Sequence, residues 1–168
     1  MRPQGGSIES KDSFFELPGA EVRRYVWVSQ FLKGLKVLDA GCGDGYGSHY
    51  IAEQSAAYVL GIDNDPEAIK FARSKFRRNN LSFQLMDATK IAIPIESFGA
   101  AISFEVIEHV TDPKGYLDGI RGVLKHGGLL FISTPNKRFT EPYYENGKSP
   151  NPHHKREYYP EELQDLLA

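Results

Sequence analysis

A short run in the second half of the chain carries side chains that could do acid–base or metal chemistry. Glu105, Glu108 and His109 are spaced at i, i+3 and i+4, so a helical turn would place all three on one face. Two carboxylates and an imidazole could bind a divalent cation there, and the imidazole alone could act as a general base. His154 follows in a later segment rich in His, Pro and basic residues. We therefore take His109 as the first candidate catalytic base and His154 as the second, and these four residues as the candidate metal ligands.

A glycine-rich turn after the first apolar strand is a second place where chemistry could occur. Val37 and Leu38 end a predicted buried strand, Asp39 stands at its carboxyl end, and glycines occupy alternate positions from Gly41 to Gly47. Open parallel sheets bind ligands at the carboxyl ends of their strands. Glycines there let the backbone turn sharply and let a ligand approach without meeting a Cβ atom. A carboxylate beside the turn suits a ligand with positive charge or hydroxyl donors, and it disfavours a pyrophosphate.

Two common nucleotide-binding motifs do not fit this turn. A dinucleotide fingerprint needs glycine at its first, third and sixth positions, but counting from Gly41 the sixth position is Tyr46. A P-loop needs Gly-Lys followed by Ser or Thr, and that sequence does not occur in this turn. A nicotinamide enzyme is therefore a disfavoured alternative.

The second predicted strand, residues 58–62, also leads to an acid. Asp63 follows it directly, where a carboxylate can accept hydrogen bonds from both hydroxyls of a ribose. Asp65 and Pro66 instead match the N-cap and the first position of a helix. The two aspartates are therefore predicted to have different roles, Asp63 as a ligand-binding residue and Asp65 as a cap.

Strands and helices alternate along the chain. Apolar periodicity predicts a helix over residues 20–32, further strands at 81–85, 100–104 and 129–133, and a helix at 114–124. This alternation is typical of a parallel sheet with helices on both faces, an α/β fold.

Together these residues resemble the class I S-adenosylmethionine-dependent methyltransferases. Residues 37–45 fit the first motif of that family at every position: an apolar pair, Asp, a small residue, Gly, Cys, Gly, any residue and Gly. The resemblance covers roughly residues 20–165. It implies a three-layer, doubly wound, Rossmann-like α/β fold with a mostly parallel sheet in strand order 3-2-1-4-5. It also implies S-adenosylmethionine as cofactor and S-adenosylhomocysteine as product.

The resemblance further implies a role in cofactor binding for each strand end. Asp87 would accept a hydrogen bond from the adenine amine, Met86 would pack on the adenine ring, and Glu105 would lie near the amino group or the ribose. Arg24 and Tyr25 are candidates for contact with the methionine end, since a segment placed here often closes over the cofactor. The implied cofactor-binding residues are Asp39, Ala40, Gly41, Cys42, Gly43, Tyr46, Asp63, Asn64, Met86, Asp87, Ala88, Phe104 and Glu105.

Three functions stay open under this resemblance. The first is methyl transfer to an oxygen atom of a small-molecule acceptor, such as a saccharide, lipid-linked or quinone precursor. The second is metal-assisted 2′-O-methylation of RNA 3′ ends, because the Glu-x-x-Glu-His turn and a later histidine occur in that group. The third is a non-catalytic domain that binds S-adenosylmethionine. Many members of the family carry the same turn without a metal, so a divalent metal is not favoured, and the first function is the one we expect.

Composition limits the partners and the compartment. The chain has 168 residues, enough for one domain, and a net charge of −2, which disfavours nucleic acid as a partner. Residues 103–106 read SFEV, where amino-methyltransferases carry Asn/Asp-Pro-Pro-Tyr/Phe, so methylation of a nucleic-acid base is also disfavoured. No apolar run is long enough to span a membrane. The single cysteine, Cys42, rules out an internal disulfide and leads us to expect a cytoplasmic protein.

The length of the chain bounds its organisation. We expect a flexible leader over residues 1–19 and a methyltransferase domain over residues 20–168 that lacks the last strands of the usual fold. The fifth strand would then present an exposed apolar edge, which is a site for pairing with another chain. Low solubility or a homodimer through that edge is the expected consequence.

Overall fold

The computed structural model of the chain describes residues 19–54 and 56–168. The expected leader lies outside the described residues, apart from Gly19. The elements in order are α1 (Ala20–Ser29), β1 (Lys36–Ala40), α2 (Tyr46–Glu53), β2 (Tyr58–Asp63), α3 (Pro66–Lys75), β3 (Leu81–Leu85), β4 (Phe98–Phe104), a 3₁₀ turn (Ile107–His109), α4 (Pro113–Val123), β5 (Leu124–Ser133), α5 (Lys137–Thr140), a second 3₁₀ turn (Glu141–Tyr143) and α6 (Pro160–Leu167).

Five parallel strands form one sheet in the order β3-β2-β1-β4-β5, which confirms the predicted order. β1 is central, since Val37 lies opposite Val59 of β2 and Ala100 of β4. Because the strands are parallel, their carboxyl ends lie along one edge of the sheet. The acids at the ends of β1 to β4 are therefore brought to the same edge.

Helices cover both faces of the sheet, and each face has its own buried cluster. Side chains along one strand point alternately to the two faces. Val37 accordingly joins the cluster beneath α1, α2 and α3, whereas Leu38 and Ala40 join the cluster beneath α4. This arrangement confirms the three-layer, doubly wound α/β fold.

The start of α3 confirms the predicted role of Asp65 as a helix cap. The Asp65 carboxylate accepts hydrogen bonds from the backbone N–H groups of Glu67 and Ala68, at 2.9 and 3.4 Å. Pro66 occupies the first helical position, where its fixed φ suits the helix and its missing N–H costs nothing. Asp65 is therefore a helix cap, and Asp63 is left for another role.

β5 begins earlier than the sequence indicates. The glycine pair at 127–128 predicts a break before residue 129, but β5 starts at Leu124, directly after α4. Phe98 pairs with Leu124, the register then shifts, and Ala100 pairs with Leu129. Gly127 has a φ of +73°, a conformation that glycine adopts without strain. The glycines therefore form an irregularity within the strand and do not end it.

β5 lies at the edge of the sheet formed by the described strands, and its Leu129 is 42% exposed. This exposure agrees with the expected apolar edge, while a homodimer through it stays a prediction. None of the helices that the structure describes combines the length and the apolar character needed to cross a bilayer.

The contact between α1 and α2 provides a test of the packing. A Cβ built at Gly47 in α2 would overlap the buried ring of Tyr25 in α1. Overpacking of this kind costs about 1–3 kcal/mol. We therefore expect Gly47→Ala to lower the free energy of unfolding by about that amount, as measured by urea denaturation, even though alanine is the better helix former.

Gly119→Ala in α4 is the matched control, because a Cβ at Gly119 would meet nothing within 4 Å. Helix propensity alone should then raise the free energy of unfolding by about 0.5–1 kcal/mol. A Gly47→Ala protein that is stabilised like the control would contradict the packing of α1 against α2.

Candidate functional site

A cleft of about 240 Å³ lies at the carboxyl ends of the central strands. Its walls bring together seven of the residues that the sequence analysis proposed, and three further residues complete them. The lining consists of Gly41, Asp63, Asn64, Asp87, Ala88, Glu105 and His109, together with Thr89, Val106 and Val110. The cleft is therefore built by the ends of β1 to β4 and by the 3₁₀ turn that follows β4.

The glycine-rich turn contributes Gly41 to the wall of this cleft. Gly41, Gly43 and Gly45 have φ values of +83°, +52° and +85°. Residues with a Cβ adopt such values only with strain. A Cβ at Gly41 would also collide with the side chain of Val106, whereas one at Gly43 would meet nothing within 4 Å. The turn therefore leaves open backbone beside the cleft, as a closely approaching ligand requires.

Asp63 holds the glycine-rich turn in place. Its Oδ2 accepts a hydrogen bond from the N–H of Gly43 at 2.8 Å, and its Oδ1 accepts one from the N–H of Asp65 at 2.9 Å. A carboxylate has about four acceptor positions, so Asp63 can still accept hydrogen bonds from a ligand in the cleft.

Asp87 lies just beyond the carboxyl end of β3, as Asp63 lies at the carboxyl end of β2. It accepts hydrogen bonds from the backbone N–H and the hydroxyl of Thr89, at 2.8 and 2.7 Å. These two bonds hold the pKa of the Asp87 carboxyl below its usual range. Asp87 is therefore an ionised acceptor, and it shares the cleft wall with Ala88.

Asp39 does not line the cleft. It is 1% exposed, and its carboxylate accepts hydrogen bonds from the hydroxyls of Ser48, at 2.6 Å, and Tyr25, at 3.1 and 3.3 Å. Burial raises the pKa of Asp39 to about 6, against the effect of both hydrogen bonds. The structure thus places Asp39 behind the cleft as a link between β1, α1 and α2.

Six other residues of the implied cofactor site also lie outside the walls of this cleft. Four of them belong to β1, the glycine-rich turn and the start of α2, and the remaining two lie at the ends of β3 and β4. They are Ala40, Cys42, Gly43, Tyr46, Met86 and Phe104. Their predicted contacts with the cofactor stay predictions.

Glu105 differs from the expected helical arrangement. It has a left-handed φ of +57° and precedes the 3₁₀ turn, so the predicted helical face with Glu108 and His109 is wrong. Its N–H donates to the carbonyl of Ser133 at 2.9 Å, and its Oε1 accepts from the Ser133 hydroxyl at 2.8 Å. These bonds to β5 hold a backbone conformation that costs about 1–3 kcal/mol for a residue with a side chain.

Arg24 of α1 reaches the same carboxylate. Its Nη2 lies 3.2 Å from Oε1 of Glu105. Its Nη1 is buried and has no hydrogen-bond partner among the described residues. A buried guanidinium nitrogen without an acceptor is costly, so Arg24 is suited to binding a carboxylate of a ligand. The hydroxyl of Tyr25, by contrast, donates a hydrogen bond to the carboxylate of Asp39.

The orientation of the His109 ring is set by a distant segment. Its Nδ1 lies 2.9 Å from the carbonyl oxygen of His153. A carbonyl only accepts hydrogen bonds, so Nδ1 carries the proton and the Nε2 lone pair is available in the neutral ring. His109 lines the cleft and can therefore act as a base there.

His154 is engaged at both ring nitrogens and does not line the cleft. Nδ1 lies 2.6 Å from the Glu157 carboxylate and Nε2 lies 2.8 Å from the side-chain amide nitrogen of Asn151. The centroids of the His154 and His109 rings lie 5.0 Å apart. This geometry favours His109 over His154 as the base.

Among residues 19–54 and 56–168, one group of side chains could hold a metal ion. Donor atoms of Glu108, His109 and His154 lie within 4.8 Å of one another. Glu108 Oε2 accepts from the Thr134 hydroxyl at 2.9 Å, while Oε1 is buried without a partner among the described residues, and burial raises the pKa of Glu108. Glu105 is not in this group. A cation there would replace the hydrogen bond between Asn151 and Nε2 of His154, so the group stays a candidate metal site that we do not favour.

Sequence reasoning missed the partners that position the site. Ser48 and Tyr25 are nine and fourteen positions from Asp39, and Glu157 accepts hydrogen bonds from Thr140, Ser149 and His154. These hydrogen bonds from Ser149, Thr140 and His154 lower the pKa of Glu157 to about 2 although burial opposes them. No periodicity or spacing signals such contacts, because they form only when separate elements meet.

The raised pKa of Asp39 predicts a pH dependence of stability. The native state binds this proton more tightly than the unfolded chain, whose aspartate has its ordinary pKa of 3.8. The contribution of this group to the free energy of unfolding is therefore full below about pH 4 and declines as pH rises toward 6. Relative to Asp39→Asn, we expect the unmodified protein to lose on the order of 1–3 kcal/mol between about pH 4 and pH 6.5 in chemical denaturation.

Asp44→Asn is the control for that measurement. It makes the same chemical change at an exposed position of the same turn. If both variants differ from the unmodified protein by the same amount at every pH, the buried carboxylate of Asp39 is not responsible for the pH dependence.

Comparisons with known proteins identify the family of the chain. A family model described as a methyltransferase domain matches residues 38–132. A probable S-adenosylmethionine-dependent methyltransferase of Mycolicibacterium smegmatis is 34% identical over 80% of this chain and 50% of its own length. A ubiquinone biosynthesis O-methyltransferase of Cereibacter sphaeroides is 37% identical over 62% of this chain and 43% of its own length. The chain spans about half the length of the curated relatives it matches.

Solved structures share the fold. The crystal structure of an S-adenosylmethionine-dependent methyltransferase from Mesorhizobium loti superposes with a TM-score of 0.67 at 26% identity, over 73% of this chain and 57% of the other. The [4+2]-cyclase SpnF superposes with a TM-score of 0.72 at 25% identity, over 86% of this chain and 54% of the other. The motifs, the strand order and the matching family model lead to one conclusion: the chain belongs to the class I S-adenosylmethionine-dependent methyltransferases.

Proposed function

We propose that this chain transfers the methyl group of S-adenosylmethionine to a hydroxyl oxygen of a small-molecule acceptor. The observation that carries the proposal is the convergence of Asp63, Asp87 and Glu105 on one cleft from the ends of β2, β3 and β4. Three acids in a row suit a ligand with hydroxyls, an amine and an ammonium group.

We assign the polar groups of the cofactor to residues of the cleft wall and to Arg24, which lies beside Glu105. Asp63 would bind the ribose hydroxyls, and Asp87 with the backbone of Ala88 would bind the adenine edge. Glu105 would bind the ammonium group of the methionine portion, and Nη1 of Arg24, which has no partner among the residues that the structure describes, would bind its carboxylate. The sulfonium supplies a methyl group whose leaving group is already activated.

The chain itself has two tasks in such a reaction. Alignment of the acceptor with the methyl carbon can lower the barrier by roughly 7–11 kcal/mol. A general base that removes the hydroxyl proton contributes a further ~10²–10⁴-fold. His109 is suited to the second task because its Nδ1–H is held by His153 and its Nε2 is free to take the proton.

Several finer assignments rest on this proposal. Oxygen is favoured as the methyl acceptor atom because one relative is a ubiquinone biosynthesis O-methyltransferase. A small molecule is favoured over RNA by the net charge of −2. We expect the protein to act in the cytoplasm, as a single unpaired cysteine suggests. The name of the SpnF structure shows that a shared fold does not settle the reaction.

Calorimetric titration with S-adenosylmethionine tests the cofactor site. We expect Asp63→Asn to weaken binding by about 10–100-fold, because it removes a charged acceptor of ligand hydrogen bonds. Asp65→Asn is the matched control, since asparagine also caps helices and the residue does not line the cleft. Equal losses in the two variants, or no binding by the unmodified chain, would contradict the assignment.

Turnover tests the proposed reaction and its base. With S-adenosylmethionine and catechol as a model hydroxyl acceptor, we expect His109→Gln to slow methyl transfer by ~10²–10⁴-fold. His126→Gln, at an exposed position of β5 outside the cleft, should leave the rate unchanged. Unchanged turnover in His109→Gln would eliminate this residue as the base.

A further panel of glycerol, glucose and phenol separates the enzyme from a binding module. Tight binding of the cofactor with no methylation of any of these hydroxyl compounds would instead favour a non-catalytic domain.

A further inference from the structure

A second, larger cavity lies next to the cleft. It has a volume of about 660 Å³ and is formed by the segment between α5 and α6. Four cationic side chains lie in its wall, together with two carboxylates: Lys137, Lys148, Lys155, Arg156, Glu157 and Glu162. The net charge of the whole chain is −2, so this concentration of cations is a local feature.

Both carboxylates in the wall accept hydrogen bonds from other groups of the protein. Glu162 pairs with Arg156 at 2.9 Å and accepts a hydrogen bond from the N–H of Tyr159 at 3.0 Å. Glu157 accepts hydrogen bonds from Thr140, Ser149 and His154 and is buried. Both carboxylates keep their negative charge, and Glu162 also interacts electrostatically with Lys137, but the four cations of the wall still outnumber them by two.

Within residues 19–54 and 56–168, no carboxylate forms an ion pair with Lys137, Lys148 or Lys155. Lys137 instead places its ammonium group 4.9 Å from the centre of the Tyr159 ring. The excess of cationic over anionic side chains in this wall, four against two, gives the cavity a positive potential that an anion would relieve.

The backbone presents Lys148 in a defined position. Glu145 and Lys148 exchange two backbone hydrogen bonds, of 3.1 and 3.0 Å, across a two-residue turn. The turn residues Asn146 and Gly147 have φ values of +52° and +74°, as a tight hairpin turn requires. A Cβ at Gly147 would meet nothing within 4 Å, so a ligand can approach the backbone here.

This cavity adjoins the candidate active site. His154 lies in the cavity wall, and its ring is 5.0 Å from the ring of His109, which lines the cleft. The backbone N–H groups of Lys155 and Arg156 donate to the carbonyl of Glu108 at 2.7 and 3.2 Å. One molecule could therefore extend from the cleft into the cavity.

We propose that the cavity binds a phosphate or diphosphate group of the methyl acceptor. This inference rests on the proposed function, since it identifies the acceptor as a phosphorylated small molecule. Lysine ammonium groups bind phosphate as point charges, and an arginine adds paired N–H donors. The acceptor hydroxyl then lies near His109, while the phosphate lies against Lys137, Lys148 and Lys155 at the other end.

Pyrophosphate is the probe for this site in the 168-residue chain. Calorimetry at low salt should detect its binding to the unmodified protein. The double variant Lys148→Ala and Lys155→Ala should bind pyrophosphate about tenfold more weakly. Its affinity for S-adenosylmethionine should not change, because neither lysine lines the cleft.

The matched control removes two exposed charges elsewhere, with Lys33→Ala and Lys75→Ala. It should bind pyrophosphate as the unmodified protein does. The same loss in both double variants would mean general charge attraction and would overturn the proposal, as would no binding by the unmodified protein. Malonate that binds as tightly as pyrophosphate would overturn the choice of phosphate over carboxylate.

Titrations with pyrophosphate and with S-adenosylmethionine distinguish failure of this inference from failure of the proposed function. If the chain binds pyrophosphate at these lysines but does not bind S-adenosylmethionine, the methyltransferase proposal is wrong and the anion site remains. If pyrophosphate competes with S-adenosylmethionine for the cleft, the separate anion site is wrong.

Discussion

The buried carboxylate of Asp39 is the constraint on which the candidate site depends. A charge at 1% exposure is costly unless donors satisfy it, and the two donors come from different helices, Tyr25 of α1 and Ser48 of α2. Both helices must therefore approach the end of the central strand. Gly47 leaves room for the Tyr25 ring, and the glycine-rich turn between strand and helix is fixed as a result.

Acids serve two separate purposes in this molecule. Asp39 and Glu157 are buried and use their oxygens to join elements that are distant in sequence. Asp63, Asp87 and Glu105 lie in the cleft wall, each held by neighbouring donors. The same residue type is thus a structural link where it is enclosed and a binding group where it borders open space.

The sequence predicted those features that depend on nearby residues. Asp65 and Pro66 specify a cap within one turn, and the alternation of strands and helices predicts a parallel sheet, whose strand order came from the family resemblance. The role of Asp39 behind the cleft could not be predicted, because Tyr25 and Ser48 become its partners only after folding. Glu105 departed from the helical pattern for a similar reason: its left-handed backbone is held by Ser133 of β5, far along the chain.

The hydrogen bond from His109 to His153 links proton chemistry to chain ordering. The carbonyl that keeps the proton on Nδ1 belongs to the same segment that forms the lysine-lined cavity. By thermodynamic linkage, whatever holds this segment in place also favours the tautomer with a basic Nε2. Without that order, the neutral ring can carry its proton on either nitrogen. Under the proposed function, an acceptor that orders this segment on binding would therefore also favour the basic Nε2 of His109.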